Sequence, residues 1–217
     1  MKRIIKKVHN SIYLLISILV FSFVVPILYG NSIKSLLFEI SYSVMLFSIF
    51  SIIDKKSKYL RYILLVSIST IWLNYFIDYN IVKYITYTFS TFVLLIVTGV
   101  LIYQVVNSKF ITSKVIIETI SGYLLLGVVL FFLNLMVLAN NPDAILFGYD
   151  DNSEKFSDVI YYSYITISTI GYGEITPVSP VARSLSIFFG VISQLYLALI
   201  IAFILGKYIN VKQNDTN

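Results

Sequence analysis

The chain has 217 residues, of which 58% are hydrophobic and only 12% are charged, with 16 Lys and Arg against 11 Asp and Glu. Soluble domains carry about 25% charged residues, so this chain lacks the polar side chains that a water-facing surface needs. It has no Cys and one histidine, His9, which excludes disulfides and thiolate sites and argues against histidine-based metal or base chemistry. The net charge of +5 lies in short segments between apolar runs, which favours a lipid bilayer over nucleic acid as partner.

Six apolar stretches are long enough to cross a membrane, since a helical span needs about 20 mainly apolar residues. A lone strand cannot satisfy its backbone hydrogen bonds in lipid, so each stretch is predicted to be a helix. In chain order the predicted spans are residues 11–29, 35–53, 59–77, 82–106, 115–138 and 181–206. The pattern predicts an all-α membrane protein with six transmembrane helices.

The basic residues predict the orientation of these spans, because Lys and Arg are retained on the cytoplasmic side. With the N-terminus inside, twelve basic residues fall on the cytoplasmic side. The four that fall outside are Lys34, Lys83, Lys155 and Arg183. The sequence therefore predicts a multi-pass protein of the cell membrane with both termini in the cytoplasm.

A shorter uncharged segment of 15 residues lies between Asp158 and Glu174, in the connection between the fifth and sixth predicted spans. As a helix it would reach only about 22 Å, less than the hydrocarbon core of about 30 Å. We therefore expect it to enter and leave the membrane on the same face. Gly171 and Gly173 interrupt its helical pattern, and non-helical backbone at membrane depth survives only where protein encloses it or water and ions reach it.

The residues of this segment resemble the potassium-channel family. Residues 166–174, TISTIGYGE, are similar to the selectivity-filter signature of that family, T-x-x-T-x-G-Y-G-D, and Ile-Thr-Pro follows at 175–177. The preceding residues 156–163 look like the pore helix of the family, and residues 190–198 look like the inner helix of bacterial channels. The detailed resemblance covers residues 156–206, about a quarter of the chain.

The resemblance implies a homotetramer with a re-entrant pore helix and a filter loop that binds K⁺. In such a filter, backbone oxygens of four chains replace the water shell of the ion. Successive carbonyls face one way only if some residues take positive φ, which glycine permits at little steric cost. The residues expected to form the K⁺ site are Thr169, Ile170, Gly171, Tyr172 and Gly173.

Two departures from the family pattern concern the support of the filter. Glu174 stands where most members carry Asp, and the pore helix offers Tyr161, Tyr162 and Tyr164 where Trp is common. Of these residues, Glu174, Tyr161 and Tyr162 are the predicted support of the filter. Gly190, in the middle of the last span, is a candidate gating hinge, with close helix packing as the alternative reading.

The fourth predicted span lacks the charges of a voltage sensor. Voltage-gated relatives carry Arg or Lys at every third position there, whereas this span has only Lys83 at its outer end. We expect a peripheral four-helix domain without sensor charges, residues 1–112, followed by a pore domain, residues 113–217. The sequence leaves the gating stimulus open among lipid, tension, pH, a ligand, a separate subunit and the filter itself.

The sequence thus predicts a potassium-selective channel that moves K⁺ passively and is not an enzyme. No intramembrane pair of acids, histidine cluster or nucleophile motif favours catalysis, and Glu39 and Glu118 are expected at the membrane interface near span ends. A weakly selective cation channel is one alternative, against which the intact TIGYG core argues. A non-conducting six-span sensor or scaffold is the other.

Overall fold

The computed structural model describes residues 2–28, 34–53, 58–77, 79–108, 111–148 and 155–214, and within these ranges the chain is almost entirely helical. The helices are α1 (Lys2–Leu19), α2 (Val25–Leu28), α3 (Lys34–Ile52), α4 (Lys58–Phe76), α5 (Asn80–Val106), α6 (Ser113–Asn140), α7 (Lys155–Ile167) and α8 (Pro180–Asn214). A π-helical segment, Val20–Val24, joins α1 to α2 without a break. Two short strands, β1 (Ile145–Leu146) and β2 (Thr176–Pro177), complete the fold.

Among the described residues, helices cover all but the ends of the six predicted spans, and four of these helices are long and apolar enough to cross a membrane. These four are Val8–Leu28, Ile81–Val106, Ser113–Asn140 and Pro180–Lys207. The other two, α3 and α4, have 19 residues each, and α4 carries Lys58 and Arg61 in its first turn. The architecture is that of an all-α membrane protein with at least four candidate spans among the described residues.

One apolar core joins the N-terminal helices to the C-terminal ones. Phe38 of α3 contacts the rings of Phe131 in α6 and Phe156 in α7, with centroid distances of 6.4 and 4.9 Å. Phe21 of the π-helical segment lies 6.1 Å from Phe131. Aromatic pairs at such distances add about 0.5–1.5 kcal/mol each beyond the area they bury. The predicted domain boundary after residue 112 therefore falls in a short connection between helices that share one core.

Two carboxylates expected at the membrane interface lie near helix starts, but their side chains are buried in protein. Glu118, in the second turn of α6, is 1% exposed; it accepts a hydrogen bond from Ser11 Oγ at 3.0 Å and pairs with Lys114 at 3.2 Å. A buried charge needs such partners to offset its desolvation. Glu39 of α3 is likewise buried. Hydropathy located both acids along the chain but could not reveal which protein surface covers them.

Candidate ion-conducting site

A short helix, α7, supports the loop that resembles a filter. Its 13 residues reach about 20 Å, less than the hydrocarbon core, and Asp158 in its first turn complements the positive end of the helix dipole. Val159 and Ile160 are buried, and Phe156 packs against Phe131 at 5.0 Å between ring centroids. The helix is therefore fixed by its apolar face, while its polar C-terminal end leads into the loop.

The last carbonyl of α7 is bound by both long helices of the C-terminal half. The oxygen of Ile167 accepts hydrogen bonds from Ser193 Oγ of α8 at 2.7 Å and from Tyr123 OH of α6 at 3.2 Å. Helix ends leave their final carbonyls without intrahelical partners, so these two hydroxyls satisfy one of them. They also fix the point from which the loop begins. Neither residue could be singled out from the sequence, because the contacts span 26 and 44 positions.

Tyr164 connects α7 to the N-terminal helices. Its hydroxyl donates to the carbonyl of Leu124 in α6 at 2.9 Å and lies 2.6 Å from Ser22 Oγ in the π-helical segment. Its ring lies 5.2 Å from that of Phe23 and covers Gly127, where an added Cβ would come within 2.6 Å of it. Single π-helical turns are frequent at functional sites. Here the turn directs Ser22 to α7, the helix that precedes the filter-like loop.

The loop after α7 alternates between positive and negative φ. Thr169 has φ of 59°, Gly171 of 51° and Gly173 of 94°, whereas Ile170 and Tyr172 between them are not in the positive region. The positive values at the two glycines follow the expectation from their type. Thr169 was not anticipated, because a β-branched residue in this region is strained and is a rare choice. An alternating backbone lets successive carbonyls face the same side.

Hydrogen bonds hold the first three N–H groups of the loop, at residues 169–171, and leave the carbonyls of the loop free. The N–H of Thr169 donates to Thr166 O at 3.1 Å, and those of Ile170 and Gly171 both donate to Ile165 O at 3.0 and 3.2 Å. Among the described residues, no hydrogen bond reaches the carbonyl oxygens of residues 169–173. The loop is exposed in the single chain, so these carbonyl oxygens are accessible and are of the type that coordinates a cation.

The predicted support residues reach different partners. Tyr161 OH donates a hydrogen bond to a carboxylate oxygen of Glu174, and this bond raises the pKa of Tyr161 to about 12. The phenol therefore stays protonated at neutral pH and acts as the donor. Tyr162 is buried, and its hydroxyl lies 2.6 Å from Ser186 Oγ of α8 instead. Tyr161 thus contacts the end of the filter-like loop, and Tyr162 connects α7 to the last helix.

The strands β1 and β2 hold the segment that follows the filter-like loop. They pair antiparallel, with Ile145 opposite Pro177 and Leu146 opposite Thr176. Nearby, the carbonyl of Ala144 accepts the N–H groups of Val178 and Ser179 at 2.9 and 3.1 Å. The chain that leaves this loop is thereby fixed to the connection after α6.

The remaining predicted site residues are exposed or loosely packed within the single chain. The Tyr172 side chain is 74% exposed, and an added Cβ at Gly171 or Gly173 would meet no atom within 4 Å. Gly190 is half-buried in the continuous helix α8, and its nearest outside neighbour is the carbonyl of Thr166 at 4.0 Å from an added Cβ. This is an ordinary contact, so close packing does not require glycine there.

The C-terminal part of the chain matches a known protein family. Residues 118–210 match the family model described as an ion channel. The match covers less than half of the chain and includes most of α6, all of α7, the loop and most of α8. No curated protein and no solved structure matches the chain. The family match supports an ion-channel assignment for the part of the chain that contains the loop with free carbonyls.

Proposed function

We propose that this protein is a potassium-selective channel, in which the carbonyl oxygens of residues 169–173 bind dehydrated K⁺. The observation that carries the proposal is the alternating backbone of this loop, together with its unpaired carbonyl oxygens. Rings of such oxygens replace the hydration shell of K⁺ in selectivity filters. The Thr169 hydroxyl adds one more oxygen next to the first of these carbonyls.

The proposed channel is a homotetramer, because one loop per chain supplies only one side of a ring of ligands. A closed cyclic assembly of identical chains completes the ring. Exposure of the loop and of the adjoining face of α8 in the single chain supports this arrangement, since only 22% of the apolar stretch of α8 is buried. Neighbouring chains would cover these surfaces around the axis.

In the proposed membrane arrangement, α1 with its π-helical and α2 continuation, α3, α4, α5, α6 and α8 form six spans, and both termini lie in the cytoplasm of the cell. The α7 helix and the filter loop would be re-entrant from the outer side. Along α5 the only basic residue is Lys83, in the first turn. Because each charge that crosses the field contributes roughly 2.3 kcal/mol per 100 mV, we expect weak voltage dependence.

Flux measurements on the full-length protein in liposomes test this proposal. We expect K⁺ flux to exceed Na⁺ flux and to be lost in Gly171→Ala, since alanine at a φ of 51° is strained by roughly 1–2 kcal/mol although space is available for its Cβ. Gly99→Ala is the matched control, because an added Cβ at Gly99 also meets no atom within 4 Å and its φ is not positive.

The outcomes separate the proposed channel from its alternatives. Equal K⁺ and Na⁺ fluxes would identify a weakly selective cation channel. Absence of flux at every voltage, pH and lipid composition would favour a non-conducting sensor or scaffold. Loss of flux in Gly99→Ala as well as in Gly171→Ala would show that the loss does not arise from the conformation of the filter loop, and this would contradict the proposed role of Gly171.

A further inference from the structure

Three consecutive carbonyls at the end of α7 bind different partners. Those of Ile165 and Thr166 accept the N–H groups of loop residues 169–171, at 3.0–3.2 Å. The third, that of Ile167, instead accepts the hydroxyls of a serine in α8 and a tyrosine in α6. The start of the loop therefore depends on the position of this last turn, and the end of the turn is bound by two other helices.

The serine, Ser193, does not behave like other serines in the helices of this chain. A serine within a helix commonly donates to a carbonyl three or four residues earlier, as Ser48 and Ser69 do at 2.9 and 3.0 Å. Ser193 Oγ also lies 2.9 Å from such a carbonyl, that of Gly190, but it lies closer to Ile167 O, at 2.7 Å. Ser193 and Ile167 are both fully buried. Because a buried hydrogen bond is little exposed to competing water, this contact connects α8 firmly to the end of α7.

The tyrosine, Tyr123 of α6, is the second donor to the Ile167 carbonyl, at 3.2 Å. Its ring lies 6.2 Å from the ring of Tyr196 in α8, measured between centroids. The hydroxyl of Tyr196 in turn donates to the carbonyl of Thr119 in α6 at 2.6 Å. The helices α6 and α8 are thus joined to each other close to the point where both bind the end of α7.

We propose that Ser193 and Tyr123 are positioning residues that set the ion preference of the filter loop through the Ile167 carbonyl. They fix the turn that binds the loop, and the proposed K⁺ ligands begin two residues later, at Thr169. Partners that orient the ligands of a metal ion commonly change affinity or activity about 10- to 100-fold when they are lost. A ring of oxygens that is held loosely adapts to ions of different size and therefore discriminates less between them. This inference rests on the proposed function, since it requires that the loop binds K⁺.

The ratio of K⁺ to Na⁺ flux into liposomes that contain the full-length protein tests the role of Ser193. Ser193→Ala removes one hydroxyl without adding atoms, and we expect the ratio to fall about fivefold, the factor that one net hydrogen bond contributes. Ser186→Ala is the matched control, because Ser186 Oγ lies 2.6 Å from Tyr162 OH and also joins α8 to α7, away from the loop. It should lower the melting temperature by a similar amount and leave the flux ratio unchanged.

A double-mutant cycle tests whether the two hydroxyls act through the same carbonyl. Tyr123→Phe should lower the flux ratio less than Ser193→Ala, since its hydrogen bond is longer. Each single variant leaves Ile167 O with the other hydroxyl, whereas the double variant removes both donors. A buried acceptor without a partner is costly, so the double variant should lower the ratio by more than the product of the two single effects. A reduction equal to that product would overturn the proposal.

The outcomes separate this inference from the proposed channel. For a variant that conducts too little for a flux ratio, the readout is the K⁺ concentration that gives half of the full rise in melting temperature. Ser193→Ala should raise this concentration about fivefold. A K⁺-selective wild type with unchanged selectivity in Ser193→Ala, or with equal losses in Ser193→Ala and Ser186→Ala, would overturn this inference alone. A wild type without preference for K⁺ over Na⁺ in either measurement would overturn the proposed function and this inference with it.

Discussion

Two long helices of the C-terminal half, α6 and α8, contain candidate spans of equal length and similar hydropathy but have very different surroundings. Within the single chain, 56% of the apolar stretch of α6 is buried, compared with 22% of that of α8. The α6 helix packs against α1, α5, α7 and α8 in one core. Most of the apolar surface of α8 is exposed within the single chain. Two helices of similar hydropathy can therefore differ in burial, since one lies in the core and the other exposes an apolar face.

The open surface of α8 includes a regular stripe. Phe188, Val191, Leu195 and Leu199 follow one another at spacings of three and four residues, and their side chains are 54–59% exposed. Such spacing places them on one face of the helix. In the proposed tetramer this stripe lies beside the filter loop, where a neighbouring chain covers it.

The largest effect is expected from truncation of this stripe. Leu195→Ala should destabilise the tetramer by about 2 kcal/mol or more per subunit, since a leucine buried in an interface loses both contacts and packing. Ile120→Ala on the exposed surface of α6, where the side chain is 46% exposed, should have little effect. Thermal dissociation of the tetramer, followed by size-exclusion chromatography, measures both. Equal tetramer stability in the two variants would mean that the stripe of α8 faces lipid.

Sequence hydropathy predicted the helices well and their burial poorly. The predicted spans 35–53 and 82–106 differ from Lys34–Ile52 and Asn80–Val106 by at most two residues. Length and apolarity determine where a helix can cross a bilayer, so they fix these positions. They contain no information on which face meets another helix, because lipid and a protein core are equally apolar.

The close packing of α6 within the core can be tested at Gly127. Gly127→Ala should destabilise the protein by about 1–3 kcal/mol, because the new Cβ would overlap the Tyr164 ring, whose hydroxyl is bonded to Leu124 and Ser22. Gly190→Ala in α8 is the matched control, with its nearest outside atom at 4.0 Å. Thermal unfolding in detergent compares the two variants. A melting temperature that falls equally in both would contradict the assignment of Tyr164 as the fixed neighbour of Gly127.

Gly190→Ala also addresses the predicted gating hinge. A normal melting temperature with reduced K⁺ flux would support a hinge, since alanine stiffens the helix without a steric conflict. Normal flux would indicate that α8 bends elsewhere or stays straight at this position.

The site could be predicted in part, for reasons that its residues make clear. The positive φ of Gly171 and Gly173 follows from residue type, since glycine lacks a Cβ. The positive φ of Thr169 does not, because a β-branched residue disfavours this region and its type gives no reason to expect it there. The contacts of Ser193 and Tyr164, which fix α7 at its end and side, could not be predicted for the same reason: their partners lie far away in the chain.

Near its C-terminal end, α8 has a polar attachment to the end of α5 and to the connection that follows α5. Lys207 Nζ donates to the carbonyls of Val106 and Ser108 at 2.8 and 2.6 Å, at the end of α5 and in the connection to α6. A cation there complements the negative end of a helix dipole. Lys207→Met should lower stability by about 1 kcal/mol, measured by thermal unfolding, whereas Lys207→Arg should recover part of it. An unchanged melting temperature in Lys207→Met would show that solvent replaces these bonds without loss.

The smallest effect is expected at the end of the proposed filter loop, where Tyr161 donates a hydrogen bond to Glu174. Tyr161→Phe removes this bond from an exposed site, so the fold should survive while the stabilisation of the protein by K⁺ decreases. Tyr162→Phe, which breaks only the contact with Ser186, should leave the K⁺ dependence of the melting temperature intact.

Because the pKa of Tyr161 is raised to about 12, the Tyr161–Glu174 bond is fully present below pH 10 and is lost as pH rises through 12. K⁺-dependent stabilisation should therefore be the same at pH 7 and pH 9, and a decline between these two values that Tyr161→Phe abolishes would contradict the protonated phenol as the donor.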